Sequence, residues 1–354
     1  MLTTELIERV LETAPLATVG LIGDLFLDRY LDIDAALNEP SVETGLTAYQ
    51  VTRVRSYPGA LGTVLNNLAA LGVGRIVPVS VVGVDGEGFE LRQALERTPG
   101  VVLGHLIAAP NRRTPTYTKP MVTDGGATRE LNRLDIKNRT PTPTAVEDEV
   151  LGHLHRVWPQ VQALLVLDQV SEANCGVVTD RVRDHLARLA ANDPAKFVLA
   201  DSRERIGLFR NLAVKPNETE CVTAVWEKPP KRLTEDDAAL ATLDLARMVN
   251  GPVFCTRGPE GIVFVPKAGP DGFVSGRHIP AYPVAGPIDV CGAGDSCSAG
   301  IACAMVAGAT HEQAAGFGNL IASITVQQVG TTGTATPDQV RGRWREVQKA
   351  SGGA

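Results

Sequence analysis

No apolar run in this chain reaches the ~20 residues that a helix needs to cross a bilayer, which argues against an integral helical membrane protein. The first eight residues, Met1 to Glu8, are acidic and amphipathic, unlike a secretory signal, and the expected location is the cytoplasm. Six cysteines occur without a C-x-x-C pair. Cys291, Cys297 and Cys303 recur at intervals of six, which suits neither a zinc site nor a disulfide framework, so they read as small buried apolar residues. There is no G-x-x-x-x-G-K-[ST], so phosphate is not gripped by a P-loop. No G-x-G-x-x-G follows an apolar strand, which argues against a dinucleotide-binding fold. Basic residues are outnumbered 34 to 40, and the net charge of −6 argues against general nucleic-acid binding. His153 and His155 lie two apart in a helical pattern, on different faces, and read as packing or surface residues rather than metal ligands.

What the chain does have is alternation. Residues 17–24 form an apolar run ending in a turn, and similar runs recur at 75–82, 163–168, 196–201, 212–215 and 252–256. Helical patterns cover 5–13, 62–71, 87–96, 175–191 and 235–249. Strand and helix in turn predict an α/β fold with a mostly parallel sheet covered on both faces. Ligands of such sheets sit at the carboxyl ends of the strands, and several runs here end in Asp24, Asp168, Asp201, Asn217 or Thr256. Residues 30–57 and 112–136 break the alternation, and the second reads as a β-hairpin around Asp124-Gly125-Gly126. Residues 341–354 read as a frayed polar tail.

The segment Asp289-Val290-Cys291-Gly292-Ala293-Gly294-Asp295-Ser296 precedes Ala299-Gly300 and an apolar helix. It fits an ordinary glycine-rich turn. It also fits an anion hole, in which amides at a helix start hold negative charge and Asp295 takes a proton beside it. That pairing is what phosphoryl transfer to a hydroxyl requires. Gly23-Asp24-Leu25-Phe26-Leu27-Asp28-Arg29-Tyr30 offers two carboxylates, pure acceptors suited to sugar hydroxyls, or a turn with its cap. Asn217-Glu218-Thr219-Glu220 can cap a helix and can order water around magnesium. Arg129 and Arg133 would share one face of a strand and could grip a phosphate, or could lie on a solvated or dimer-facing edge.

The segment from Asp289 to Gly300 resembles the C-terminal signature of the ribokinase family, the phosphofructokinase-B-like sugar and nucleoside kinases. The resemblance runs over about residues 15–340 and implies one ribokinase-like kinase domain over 1–354. It implies a small β-sheet lid from the excursions at 30–57 and 112–136, often shared across a homodimer. By resemblance Asp295 is the base, and Gly292, Ala293 and Gly294 form the anion hole. Asp28 together with Asp24, the loop at Gly59, and Arg133 would bind the acceptor. Asn217, Glu220, Thr256, Gly258, Gly261 and Asn319 would serve ATP, with magnesium held through water at Glu220. Asp289, with the loop Gly330-Thr331-Thr332-Gly333-Thr334, would hold a monovalent cation such as potassium. The runs at Gly23–Tyr30 and at Glu130-Leu131-Asn132-Arg133-Leu134-Asp135 look most like the heptose-phosphate kinase branch. The implied substrate is a sugar or sugar phosphate. The loop Tyr57-Pro58-Gly59-Ala60-Leu61-Gly62-Thr63 departs from the family pattern: Ala60 stands where a second glycine is usual and Thr63 where a sugar-binding asparagine is usual. The alternatives are a nucleoside kinase, against which few aromatic residues in the lid would speak, and a non-catalytic ligand-binding relative.

Overall fold

Continuous apolar strands can be buried only if helices cover both faces of their sheet. The computed structural model, which describes residues 2–228, 233–268, 275–330 and 332–351, has this arrangement. Helix α1 (Thr4–Thr13) leads into β1 (Thr18–Gly23), an interior strand of a nine-stranded sheet. The chain then leaves for β2 (Leu25–Asp34), the short pair β3 (Glu39–Pro40) and β4 (Thr47–Ala48), and β5 (Val51–Ala60). It returns through α2 (Leu61–Ala70), β6 (Arg75–Gly83), α3 (Gly86–Glu96) and β7 (Leu106–Ala109). A second departure gives β8 (Thr116–Asp124), β9 (Ala127–Glu130) and β10 (Leu134–Ile136). The remaining crossovers are α4 (Thr144–Val157), β11 (Ala163–Asp168), α5 (Asp180–Asn192), β12 (Phe197–Ser202), β13 (Ala213–Val214), α6 (Glu218–Val225), α7 (Glu235–Val249) and β14 (Val253–Thr256). The chain ends with β15 (Ile262–Val265), β16 (Arg277–Ile279), α8 (Ala293–Val306), α9 (His311–Thr325) and α10 (Pro337–Ser351).

The large sheet runs β16-β15-β14-β13-β12-β11-β1-β6-β7 and is parallel except at one edge, where β15 pairs antiparallel with both β14 and β16. Successive side chains alternate between faces. Leu21, Leu165 and Leu167 join one core with α1, α2, α8, α9 and α10, while Ile22, Leu164 and Val166 join another with α4, α5, α6 and α7. On the first face α8 and α9 pack closely: a side chain on Gly300 would lie 2.9 Å from Ile321 Cγ1 and 3.1 Å from the Gly318 backbone. Those small residues let the two helices touch, and so seat Asn319, next to Gly318, beside the start of α8.

The excursions form a second, mixed sheet in the order β10-β8-β2-β5, with β9 on β8. Strand β2 pairs antiparallel with β5 and parallel with β8. The hairpin of β8 and β9 turns at Gly125 and Gly126, both at positive φ. Four of the chain's five tyrosines, residues 30, 49, 57 and 117, fall in the two excursions, so the expected scarcity of aromatic residues there is corrected. Residues 175–179 precede α5 and are not helical, because Thr179 caps that helix by accepting from Val182 N. The expected frayed tail is also corrected. Residues 337–351 form α10, held by Arg341 on Glu8 (2.8 Å) and Arg343 on Ser323 Oγ (3.1 Å), with Val340 fully buried. Residues 352–354 lie outside the described residues. No helix among the described residues is long and apolar enough to cross a membrane.

Candidate active site

Helix α8 begins without a capping side chain. Its N-cap is Gly292, at φ +76, where a side chain would collide with Thr332 at 2.5 Å. The Ala293 N–H donates to Val290 O (3.1 Å), while the N–H groups of Gly292, Gly294 and Asp295 have no protein partner among the described residues. Open amides at the positive end of a helix make an anion site. Asp295, in the first turn, is half-buried. Desolvation, and then the negative charge of Asp201, push its carboxyl up to about 7, against the opposing pull of Lys215 and Arg203.

Two cavities flank this turn. One, of about 300 Å³, is lined by Asp28, Tyr30, Arg55, Tyr57, Thr63 and Thr332 among others, and Thr63 and Thr332 both lie against Gly292. The other, of about 240 Å³, is lined by Ala293, Gly294, Thr256, Gly258, Gly261 and Asn319 together with apolar Val290, Tyr282 and Val326. The second cavity gathers residues from positions 256 to 326 because the β13–α6 turn is tied to the end of β14. Thr256 N donates to Pro216 O (2.9 Å), and Asn217 bridges to Thr256. Asn319 Nδ2 donates to Ile279 O and Pro280 O, 3.1 Å each, which fixes the wall formed after β16. Gly261, at φ +88, would place a side chain 2.2 Å from Ile279 O. Asn217 and Glu220 cap α6 reciprocally: Asn217 N donates to Glu220 Oε2 and Glu220 N to Asn217 Oδ1, both at 2.8 Å. Burial first, and Asp201 next, raise the pKa of Glu220. Three carboxylates, Asp201, Glu220 and Asp295, thus share the buried Lys215 and the nearby Arg203, a surplus of negative charge that suits a cation bound with phosphates. Among the described residues no three His, Cys, Asp or Glu side chains converge as a metal cluster.

The family model for pfkB carbohydrate kinases matches residues 25–339. The chain belongs to the pfkB family of carbohydrate kinases. Curated relatives include the bifunctional protein HldE of Hyphomonas neptunium, 31% identical over 326 residues, covering 90% of this chain and 62% of that protein. The HldE of Azorhizobium caulinodans is 28% identical over 323 residues, covering 91% and 63%. This pfkB chain therefore spans less than two thirds of the length of these relatives. Solved structures with the same ribokinase fold include Escherichia coli phosphofructokinase-2 in a tetrameric inhibited form (TM-score 0.68, 16% identical, 94% of this chain and 99% of that one). Arabidopsis thaliana ribokinase complexed with ribose and ATP is another (TM-score 0.64, 17% identical, 92% and 98%).

Within this pfkB fold the acceptor-side residues separate. Asp28 lines the 300 Å³ cavity, 3.3 Å from Lys119 Nζ. Opposite it Gly59 leaves room, since a side chain there would meet Asp28 Oδ2 at 2.3 Å. Asp24 is corrected: it is buried, and its carboxylate accepts from the amides of Val177 (2.7 Å), Gln169 (3.0 Å) and Val170 (3.3 Å). Burial and then Asp168 push its carboxyl up to about 6. Asp24 thus ties loops together and is not among the residues lining the 300 Å³ cavity. Arg133 is corrected too. The strand stops at Glu130, so Arg129 and Arg133 share no strand face. Arg133 is spent on Asp135 (2.7 Å) and on the face of Tyr117 (4.3 Å). Arg112 is buried on backbone carbonyls, and Arg113 pairs with Asp85 and Glu87. The guanidinium that does line the cavity is Arg55, held by Asp32 at 2.7 Å and stacked on Tyr30 at 4.9 Å. Sequence reading missed it because it stands on the partner strand, with only the alternation of β5 as a signal. Asp289 links the α8 turn to the closing loop, Oδ1 accepting from Cys291 N (3.0 Å) and Oδ2 from Gly330 N (3.1 Å). Thr331 of that loop lies outside the described residues. Cys291, expected buried, is exposed.

Proposed function

We propose that this protein transfers the γ-phosphoryl group of ATP to a hydroxyl of a sugar phosphate. The observation that carries the reading is the pair of cavities on either side of one uncapped helix start. The nucleotide occupies the cavity of Thr256, Gly258, Gly261 and Asn319, and the acceptor occupies that of Asp28 and Thr63. Asp295 takes the proton of the attacking hydroxyl, and a carboxyl whose pKa is raised to about 7 is a stronger base than an ordinary aspartate. The open amides of Gly292 and Gly294 hold the charge that develops on the transferring group. Glu220 and Asn217 would hold magnesium through water, and the ion would supply positive charge against the nucleotide phosphates. Asp28 accepts from acceptor hydroxyls, and Arg55 with Lys119 supplies the positive charge that an acceptor phosphate needs. Asp289, which holds the Gly330 amide, would with the closing loop bind potassium, and that ion would order the turn at Gly292. Leu37, Val42, Leu46, Val51 and Val54, all in the first excursion, are exposed, and a second copy of the chain covers them. The enzyme works in the cytoplasm, on a small molecule and not on nucleic acid.

A second reading, a nucleoside kinase, is favoured by Tyr30 and Tyr57, whose rings meet edge to face at 6.0 Å in the acceptor wall. The test is ADP release by the purified protein with panels of free sugars, sugar phosphates and nucleosides, with Asp295→Asn as control. Preference for a phosphorylated sugar is expected. A clear preference for free sugars removes the phosphate assignment, and one for nucleosides selects the second reading. No acceptor-dependent turnover at all would leave a ligand-binding relative.

A further inference from the structure

Thr63 stands where the resemblance calls for a sugar-binding asparagine, and one turn on, on the same face of α2, stand Asn66 and Asn67, both in the cavity wall. Asn67 is fully buried, yet it lines the acceptor cavity. Its Nδ2 donates to Thr63 O at 3.0 Å. That bond adds little to the helix, because a carbonyl at this position also accepts the regular bond from the residue four further on. What it does is orient the amide. Turning the amide over would set Oδ1 against the Thr63 carbonyl, acceptor against acceptor, so the orientation is determined by the chemistry. Oδ1 then has no partner among the described residues. A buried carbonyl oxygen without a donor is costly to keep, and in a cavity wall it marks the place of a ligand donor.

We propose that Asn67 reads the acceptor: its Oδ1 takes the hydrogen of a substrate hydroxyl, replacing the function lost at Thr63. Asp28 in the same cavity is also an acceptor, so the ligand must bring donors at two points, as a polyol does. A cation would satisfy Oδ1 as well, but Arg55 lies in the same wall and opposes one. The proposal rests on the reading of this cavity as the acceptor site.

The test uses Asn67→Leu, which keeps shape and removes the oxygen, and Asn67→Asp, which keeps an acceptor oxygen. The probes are ribose, ribose 5-phosphate, fructose 6-phosphate and sedoheptulose 7-phosphate, with acceptor-induced thermal shifts measured without ATP and turnover measured with it. In Asn67→Leu the best acceptor should bind roughly ten-fold more weakly, a loss of ~1.4 kcal/mol. Nucleotide KM should be unchanged, and the melting temperature equal or higher, since an unmet polar group has gone. Asn67→Asp should hold the acceptor better than Asn67→Leu. Unchanged acceptor affinity in Asn67→Leu overturns the proposal. So does a lower melting temperature with acceptor and nucleotide KM rising together, or a change in potassium dependence alone. Acceptor shifts that are lost in Asn67→Leu, in a wild type that turns nothing over, would keep Asn67 as a ligand and sink the kinase reading alone. No acceptor shift in the wild type sinks both.

Discussion

The Lys215 ammonium lies 2.8 Å from Asp201 Oδ2 and close to the first turn of α8, where a side chain on Gly294 would come within 3.4 Å of it. Both charges are held at the carboxyl ends of adjacent parallel strands, β12 and β13, and Lys215 is only 3% exposed. The pair offsets part of the negative charge of three carboxylates gathered beside the open amides of α8. Lys215→Met leaves Asp201, which is half-buried, without its partner. Breaking a fully buried pair costs about 3–5 kcal/mol, and the loss here should fall below that range because Asp201 keeps contact with solvent. The substitution also removes the cation that lowers the pKa of Asp295, so the acid limb of the pH–rate profile should move to higher pH. Urea unfolding and a pH profile of kcat check the two parts. A stability loss with an unmoved acid limb would make Lys215 a purely structural partner.

Asp295 gives opposite trends for activity and for stability. As the proposed base it must be ionised, so kcat should rise with pH through about 7. For stability, its folded pKa lies above that of the unfolded chain. Between those values the folded state binds more protons, so stability falls as pH rises and stays lower above about 7. Asp295→Asn should therefore lose about 10²–10⁴-fold in rate. The same variant should be more stable than the wild type at pH 8, with the gap closing toward pH 4. Melting curves at both pH values decide this. A variant less stable at pH 8 would show that the carboxylate is not destabilised by its surroundings.

Much of the large sheet was legible because a continuous apolar run has few other solutions, and its helices followed the 3.6-residue period. The α8 turn was legible because a short local motif builds it. What escaped was assembled over long distances. The cluster of Asp201, Lys215 and Arg203 depends on strand neighbours, and α10 looked frayed because Arg341 finds its partner Glu8 at the other end of the chain. Asp24 looked available because its three amide donors lie near residues 169–177. Arg129 and Arg133 would share a face only if one strand ran through both, but β9 ends at Glu130 and pairing with β8 resumes only at Leu134, so the alternation is broken between them.

Gly59 offers a direct probe of Asp28. Its backbone is not in the left-handed region, so alanine adds only a methyl group, which would lie 2.3 Å from Asp28 Oδ2. The carboxylate must then rotate away from Lys119. Gly59→Ala should raise acceptor KM roughly ten-fold, the loss of one hydrogen bond to a charged group of about 1.5 kcal/mol. The nucleotide KM should hold. Steady-state kinetics with both substrates varied are the measurement, and an unaltered acceptor KM would remove Asp28 from the acceptor site.

Ala60, the residue after it, carries strain that the family pattern avoids. It sits at φ +52, ψ −113, between β5 and α2, where the departing chain must turn into the helix beside the acceptor cavity. Only glycine enters positive φ freely. Holding an L-residue in such a region costs about 1–3 kcal/mol. Glycine relieves that cost but gives back about 0.4–1 kcal/mol through the freer unfolded chain. The net expectation for Ala60→Gly is a gain of roughly 1 kcal/mol, the difference of these two terms. Because residues at positive φ persist only where the surroundings enforce them, the gain should appear as slower unfolding and a higher denaturation midpoint. Acceptor KM should change little, since Ala60 is not in the cavity wall while Asp28, Thr63 and Asn67 are. Chemical denaturation of the two proteins side by side decides the matter. A variant no more stable than the wild type would mean that the turn relaxes around Ala60 in solution and that the departure from glycine costs this chain nothing.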